Sequence, residues 1–325
     1  MEVSYKMYFP YLRGRQNELL ALRELVENDL LSKEIIPVIE PVKLSSTLIS
    51  TMKMFESKGR AVAVIRNPVV GSFTTQWNST FEGTKESVYK KEFTALCDAS
   101  NAGKIINSMI MRGNAVRLIE YLHEKGIEKS DVLVIHTNRD YLDDYEYLFS
   151  QSPPRFVFVP DECAYRRRVH NHKVLLDDKF PKRDRNVDYP AEDFFSDDHL
   201  YCKEYGFEEG FSDFSIVGED YREDGFAPYA VAIHIVYFDE KQALRVKHFV
   251  SKSNDDIFNP ALKYFEAVSK MAEWYESHPV KKTKGLEMFL DQYQRQAYPG
   301  LGPIKKQSIM HHLELMGRYL DGEKI

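Results

Sequence analysis

The chain has 325 residues, with 44 Lys and Arg against 50 Asp and Glu, a net charge of -6 and a pI near 6.0. Its 43% hydrophobic and 29% charged residues are those of an ordinary globular protein with one large core or two modest ones, not of a disordered or fibrous chain. The acidic balance counts against a surface that coats nucleic acid throughout, and no apolar run reaches the roughly 18 residues of a membrane span, so no membrane partner is expected and the setting reads as cytoplasmic.

Tyr5 to Leu12 reads as a first strand, and the turn Arg13-Gly14-Arg15 separates it from a helix over Glu18 to Asn28, where Leu19, Leu22, Leu25 and Val26 recur at helical spacing. Ile35 to Ile39 then runs into Glu40-Pro41, and a helix over Thr47 to Ser57 stops at Lys58-Gly59. Ala61 to Ile65 is wholly apolar, as a parallel strand covered on both faces is, and ends at Arg66-Asn67. Gly71 to Gly83 reads as a long loop, followed by a helix over Lys85 to Ala99, the stop Asn101-Ala102-Gly103, and the apolar run Ile105 to Met111 ending at Arg112-Gly113. A helix over Ala115 to Glu124 stops at Lys125-Gly126, and Val132 to Ile135 delivers His136. After an acidic, Tyr-rich helix, Phe156 to Val159 leads to Asp161, and Val174 to Leu176 leads to Asp177-Asp178-Lys179. The last strand of the series is expected at Phe214 to Val217, running into Gly218-Glu219-Asp220 before the charged turn Arg222-Glu223-Asp224-Gly225.

Parallel strands need a crossover that a helix usually supplies, and about eight such units in roughly 225 residues predict a (β/α)8 TIM-barrel-like parallel barrel. An open doubly wound parallel sheet is the alternative that periodicity leaves standing. From Tyr229 the texture changes: Ala230 to Phe238 and Leu244 to Val250 flank the polar turn Asp239-Glu240-Lys241 as a β-hairpin. Helices follow at Pro260 to Ser277, Leu286 to Gln294 and Lys305 to Leu320, divided by Pro279 and by the Pro299 to Pro303 break. The expected organisation is a barrel-like α/β domain over 1-228 and a hairpin plus helical C-terminal elaboration over 229-325, packed on the barrel.

In a parallel barrel the C-terminal strand ends share one face, which holds the active site in barrel enzymes. The residues expected there as catalytic groups are Glu40, Asp161, Asp178, Lys179 and Asp220, since carboxylates can serve as general acids and bases or hold a divalent cation such as Mg or Mn. Arg13, Arg15, Arg66, Asn67 and His136 are the expected substrate-binding residues, because guanidinium groups clamp phosphate. The same mixed charges are also what a structural ion-pair network would carry. The loop Pro181 to Pro190, reading PKRDRNVDYP, is a lid or a solvated connection.

Other signals fall away. Gly300-Leu301-Gly302 lacks the preceding strand and third glycine of a dinucleotide loop, and no serine sits in a Gly-x-Ser-x-Gly elbow. His170-Asn171-His172 is contiguous, unlike the nuclease residues it spells, and the adjacent His311 and His312 diverge by about 100 degrees on a helix. Cys97, Cys163 and Cys202 have neither disulfide-framework nor zinc spacing and read as reduced thiols.

The phrases PYLRGRQNELLALREL, IIPVIEPVK, FSDFSIVGEDY and YPGLGPIKKQSIMHHLEL, spread over nearly the whole length, resemble the beta-protein-like family of bacteria and phages. The resemblance implies a role in phage conflict or in a toxin-antitoxin-like pair, with a protein partner encoded alongside, and it carries over no catalytic residue. Two functions are therefore expected in competition. One is a barrel enzyme acting on a phosphate-bearing substrate, a nucleotide or nucleic-acid end, by metal-assisted hydrolysis; the other is a non-catalytic protein-binding or ligand-sensing module of a defence system. Plain nucleic-acid binding has the overall negative charge against it.

Overall fold

The computed structural model describes residues 7-99, 104-222, 228-278 and 280-325. Tyr5 of the expected first strand, the stop Asn101-Ala102-Gly103, Glu223-Asp224-Gly225 of the charged turn and the divider Pro279 lie outside the described residues. The strands are β1 (Met7–Tyr8), β2 (Tyr11–Leu12), β3 (Val38–Ile39), β4 (Val62–Ile65), β5 (Ile105–Ile110) and β6 (Leu133–Ile135). They continue with β7 (Phe156–Val159), β8 (Lys173–Leu176), β9 (Glu192–Ser196), β10 (Gly210–Ser212), β11 (Ala232–Phe238) and β12 (Leu244–Val250). The helices are α1 (Gln16–Glu27), α2 (Ser46–Ser57), α3 (Phe73–Ser79), α4 (Lys85–Asp98), α5 (Ala115–Glu124) and α6 (Leu142–Phe149). After these come α7 (Cys163–Arg168), α8 (Asp198–Tyr201), α9 (Pro260–Ser277), α10 (Lys284–Arg295) and α11 (Leu301–Leu320). No helix among the described residues is long and apolar enough to cross a membrane.

Contacts divide the chain into two compact units, one of Met1–Leu19, Lys33–Asp177 and Tyr201–Asp213, the other of Leu20–Ser32, Asp178–Leu200 and Phe214–Ile325. The first is a parallel α/β half-barrel, a nine-strand sheet in the order β1-β10-β8-β7-β6-β5-β4-β3-β2 with every neighbour parallel. Strands β4, β5 and β7 are buried at each residue, which is why β4 and β7 read as unbroken apolar runs. The two outermost places in the order belong to one stretch, Met7 to Leu12. On one edge the N–H groups of Phe9 and Tyr11 donate to the carbonyls of Phe211 (2.9 Å) and Asp213 (2.8 Å). On the other edge the N–H groups of Val38 and Glu40 donate to Pro10 O (2.9 Å) and Leu12 O (2.8 Å).

Helix starts in this unit follow side-chain chemistry: Ser45 caps α2 by accepting from Leu48 N–H (3.3 Å), and Thr84 caps α4 by accepting from Ser87 N–H (3.2 Å). The stretch Gly71 to Gly83, expected as a loop, contains α3, whose Phe73 is buried against Trp77 and Phe93. Polar residues around two aromatic anchors hid this short helix.

The last strand of the sheet is β10, not the expected Phe214 to Val217. Ser215 has a φ of 49°, and Val217 N–H donates to Phe214 O at 3.1 Å, so that apolar run is a buried turn. A short apolar run cannot separate the two by periodicity. The strand begins instead at Gly210, whose φ is 138° and whose added Cβ would lie 2.0 Å from Met7 O. Consequently Glu219 and Asp220 do not continue a strand, and the carboxylate that follows β10 is Asp213.

In the second unit β11, β12 and β9 form an antiparallel sheet in the order β11-β12-β9. The hairpin matches the expected one, and β9 adds a third strand that the charged stretch after Pro190 concealed. Ile233, Ile235 and Phe249 of the sheet share a core with Tyr264, Val268, Met271 and Trp274 of α9 and with Leu286 and Phe289 of α10. Asn259 caps α9 ahead of Pro260, and Thr283 caps α10.

Replacing Gly210 by Ala is expected to cost about 3 kcal/mol or more in urea unfolding, because backbone conformation and a backbone collision add. Gly126→Ala is the control, since Gly126 also has a positive φ of 74° but open space around it, and should cost only about 1 kcal/mol. Equal costs would mean that the approach of Met7 to Gly210 is unimportant.

Candidate functional site

Glu40 follows β3 and is fully buried, beside an Arg13 that is 7% exposed. Its Oε2 accepts from Tyr11 Oη (2.8 Å) and pairs with Arg13 Nη1, while its Oε1 accepts from the Val69 backbone N–H (2.7 Å). The guanidinium also lies over the Tyr11 ring at 5.1 Å. Gly14, with a φ of 61°, permits this turn: a Cβ there would come 2.9 Å from Glu40 O. Two predicted site residues, Arg13 and Glu40, are thus brought together, but each oxygen of the carboxylate already has a donor. Arg15, next in the turn, is half-buried at the entry to α1.

Arg66 and Asn67, which follow β4, lie at a cavity of ≈ 300 Å³. Asn67 extends the sheet by side chain: its Nδ2 donates to Ile110 O and its Oδ1 accepts from Ile110 N–H, both at 2.9 Å. The second donor contact of Nδ2 goes to Asn114 Oδ1 at 3.1 Å. Arg66 is held from beneath, donating to Asn107 Oδ1 (2.6 Å) and pairing with Asp98 (3.3 Å), with the rings of Phe93 and Tyr121 at 5.7 and 5.6 Å. Asp98 also accepts from Tyr121 Oη at 3.2 Å, and burial first, then the Asp98 charge, raises the Tyr121 pKa. The opposite side of the cavity is formed by Arg112 and Asn114 from the loop after β5, with Trp77, Thr74 and Leu118 completing the wall. The Arg112 side chain has no hydrogen-bond or ionic partner among the described residues. Asn114, the N-cap of α5, makes no side-chain cap bond.

The other expected residues have partners or surroundings of their own. Asp161 is exposed and paired with Arg166 (Nε to Oδ1 2.6 Å). His136 is fully buried between Tyr145 and Tyr165, with no hydrogen-bond partner for either ring nitrogen among the described residues, and burial lowers its pKa to about 3. Asp178, Lys179 and Asp220 belong to the second unit. There Asp178 ties loops by accepting from the N–H groups of Phe180 (3.1 Å) and Glu219 (2.8 Å), and Lys179 pairs with Asp198 at 3.0 Å. Asp220 is exposed and pairs with Arg222 at 2.7 Å and Lys182 at 3.6 Å. Among the described residues no three His, Cys, Asp or Glu side chains come together as a metal-holding group. Glu40, Asp161, Asp178 and Asp220, the carboxylates expected to hold a divalent cation, each bond to protein groups of their own unit.

No family model, curated protein or solved structure matches the chain. Geometry alone carries the functional reading.

Sequence reasoning missed several groups. Asp213, 2% exposed, accepts from Tyr8 Oη at 2.7 Å; burial and then the Asp213 charge hold the Tyr8 pKa well above the usual phenol range. Arg112 was visible as the residue ending the fourth apolar run, yet its strand-end position drew no role. In the second unit His234 and His248 face each other across β11 and β12, Nδ1 to Nδ1 2.7 Å, with His248 Nε2 3.2 Å from Asp193. No spacing rule links residues that meet only through strand register. His311 and His312 do diverge: His311 bonds Thr283 Oγ1 (2.7 Å) and Val236 O (2.6 Å), while His312 Nδ1 meets Ser215 Oγ at 2.9 Å. Of the cysteines, Cys97 and Cys202 are buried and Cys163 is exposed.

Glu40→Ala strands Arg13 in the interior, and a loss of about 3–5 kcal/mol is expected in chemical unfolding, with a smaller loss when Arg13→Met accompanies it. An additive double mutant would show that the pair is not coupled. His136 has a folded-state pKa of about 3, below the about 6.5 of an unfolded histidine, so the unfolded chain binds the extra proton between them. Stability is therefore complete above about pH 6.5 and falls with acid, His136 contributing up to about 1.4 kcal/mol per pH unit. His136→Phe should flatten that acid limb in a series of unfolding curves from pH 7 to pH 4; an unchanged slope would remove His136 as its source.

Proposed function

We propose that the chain is a (β/α)8 barrel protein that binds a small phosphate-bearing ligand in the Arg66–Arg112 cavity. Closure of the half-barrel is supported by Met7 to Leu12, which bonds β10 on one edge and β3 on the other and so leaves no sheet edge open as a doubly wound sheet would. The loops that follow parallel strands are where such barrels carry ligands. Arg66, Asn67, Arg112 and Asn114 all stand on the loops after β4 and β5.

The observation that carries this reading is the Arg112 guanidinium, without a side-chain partner among the described residues, in a cavity whose lining contains no carboxylate. A guanidinium beside apolar walls gains most from a forked bond to an oxyanion. Asn114 adds a carboxamide not used for capping, and the first turn of α5 adds the positive end of a helix. Aromatic side chains of Trp77, Phe93 and Tyr121 supply the apolar part of the wall, as ligand cavities usually have.

Binding is favoured over hydrolysis. No Asp, Glu or His lines the cavity to act as a general base, and the nearby Cys97 thiol is pushed up to about 12 by burial. Glu40, the one buried carboxylate among the expected catalytic residues, has both oxygens engaged. A ligand-sensing role accords with this better than metal-assisted phosphoester cleavage.

Calorimetric titration of the full chain with phosphorylated metabolites and their dephosphorylated forms tests the reading. Phosphorylated compounds should bind at least about tenfold tighter, and Arg112→Ala should remove that difference while Asp161→Ala leaves it intact. Equal affinity of the two forms, or no effect of Arg112→Ala, would overturn the proposal.

A further inference from the structure

Resting on that reading, we infer that the cavity selects a ligand with a single phosphate group, a phosphomonoester of mononucleotide or sugar-phosphate size, and rejects polyphosphates and nucleic-acid ends. Two guanidinium groups line the space, but they are not equivalent. The Arg66 charge is cancelled within the protein: Asp98 lies 3.3 Å from Nη1, and Asn107 accepts from the same nitrogen at 2.6 Å. With its side chain only 5% exposed, Arg66 cannot swing away from these partners without leaving Asp98 stranded. Tyr121 reinforces the arrangement by donating to the other oxygen of Asp98 at 3.2 Å.

Arg112 alone contributes an uncompensated charge to the lining, since its side chain has no ionic partner among the described residues. The next cation along the wall, Lys90, lies over the Trp77 ring at 4.9 Å and donates to Trp77 O at 2.7 Å, outside the lining itself. One free positive charge and one helix terminus match the charge of one phosphate. A diphosphate or triphosphate brings added negative charge towards Asp98 with no further cation to meet it, and like charges in a poorly solvated space repel strongly. Size agrees: ≈ 300 Å³ is the low end of the range for small-molecule cavities.

The decisive comparison is a titration series in metal-free buffer with inorganic phosphate, a nucleoside, its mono-, di- and triphosphate, and a hexose phosphate. The monophosphate is expected to bind at least about tenfold tighter than the nucleoside, and the diphosphate and triphosphate no tighter than the monophosphate. The hexose phosphate distinguishes a requirement for the base from a requirement for the phosphate alone; binding by either compound supports a single-phosphate site. Asp98→Asn keeps the acceptor for Arg66 while removing the cancelling charge, and should strengthen diphosphate binding about tenfold relative to monophosphate. A wild-type preference of tenfold or more for the triphosphate, or an Asp98→Asn variant that folds with unchanged selectivity, sinks the inference but leaves phosphate binding standing. If no phosphorylated compound binds, the underlying reading falls with it. Should Asp98→Asn fail to fold, the wild-type series decides alone.

Discussion

The stretch Met7 to Leu12 is the constraint on which the parallel sheet depends. Its backbone carries ladder bonds on both edges, so a single short segment fixes the register of β10 on one side and β3 on the other. A strand held on both edges cannot shift by one residue without breaking both ladders and turning its side chains to the opposite face. Two glycines make the approach possible: Gly210 lets Met7 O come close, and Gly14 lets the chain turn past Glu40 O. Both positions demand a positive φ and an absent Cβ, requirements on the backbone that hydrophobicity does not reveal.

Two buried carboxylates, Glu40 and Asp213, are arranged around the same segment. Tyr8 donates to Asp213 beyond β10, and Tyr11 with Arg13 donates to Glu40 beyond β3. A carboxylate taken out of water is costly unless its lone pairs meet donors, and once they do it becomes a rigid tie between loops. Such ties explain why strand-end acids need not be reactive. Their oxygens are occupied by the protein, so the arrangement that makes them stable leaves little capacity to bind a cation or remove a proton.

Much of the framework was legible in the sequence. Apolar runs such as Val62 to Ile65 and Phe156 to Val159 are strands buried on both faces, and the helix over Ala115 to Glu124 has the bounds its stop signal gives. Errors fell where local pattern and tertiary setting disagree. Phe214 to Val217 is more hydrophobic than Gly210 to Ser212, yet the weaker-looking segment pairs with β1 and β8, because backbone access decides the position and Ser215 turns the richer segment away. For the candidate site, strand ends pointed to Arg13, Glu40, Arg66 and Asn67, but not to which of them would be saturated by neighbours. Saturation depends on residues far away in sequence, as the Arg66–Asn107 and Glu40–Val69 contacts show.

That distinction between occupied and unoccupied polar groups is what separates scaffold from proposed site in the first unit. Glu40 and Asn67 are as well placed at strand ends as Arg112, and each is closer to full burial. Their hydrogen-bonding capacity, however, is directed inward: Glu40 joins three chain segments, and Asn67 prolongs the β4–β5 ladder through Ile110. Arg112 stands on the equivalent loop one strand further on and has no such engagement among the described residues. A charged group kept beside an aromatic-walled cavity, at a helix start whose N-cap side chain bonds Asn67 and not the helix, gains little for folding. The proposed binding role accounts for that position, because none of the ties described above for this unit runs through the Arg112 side chain.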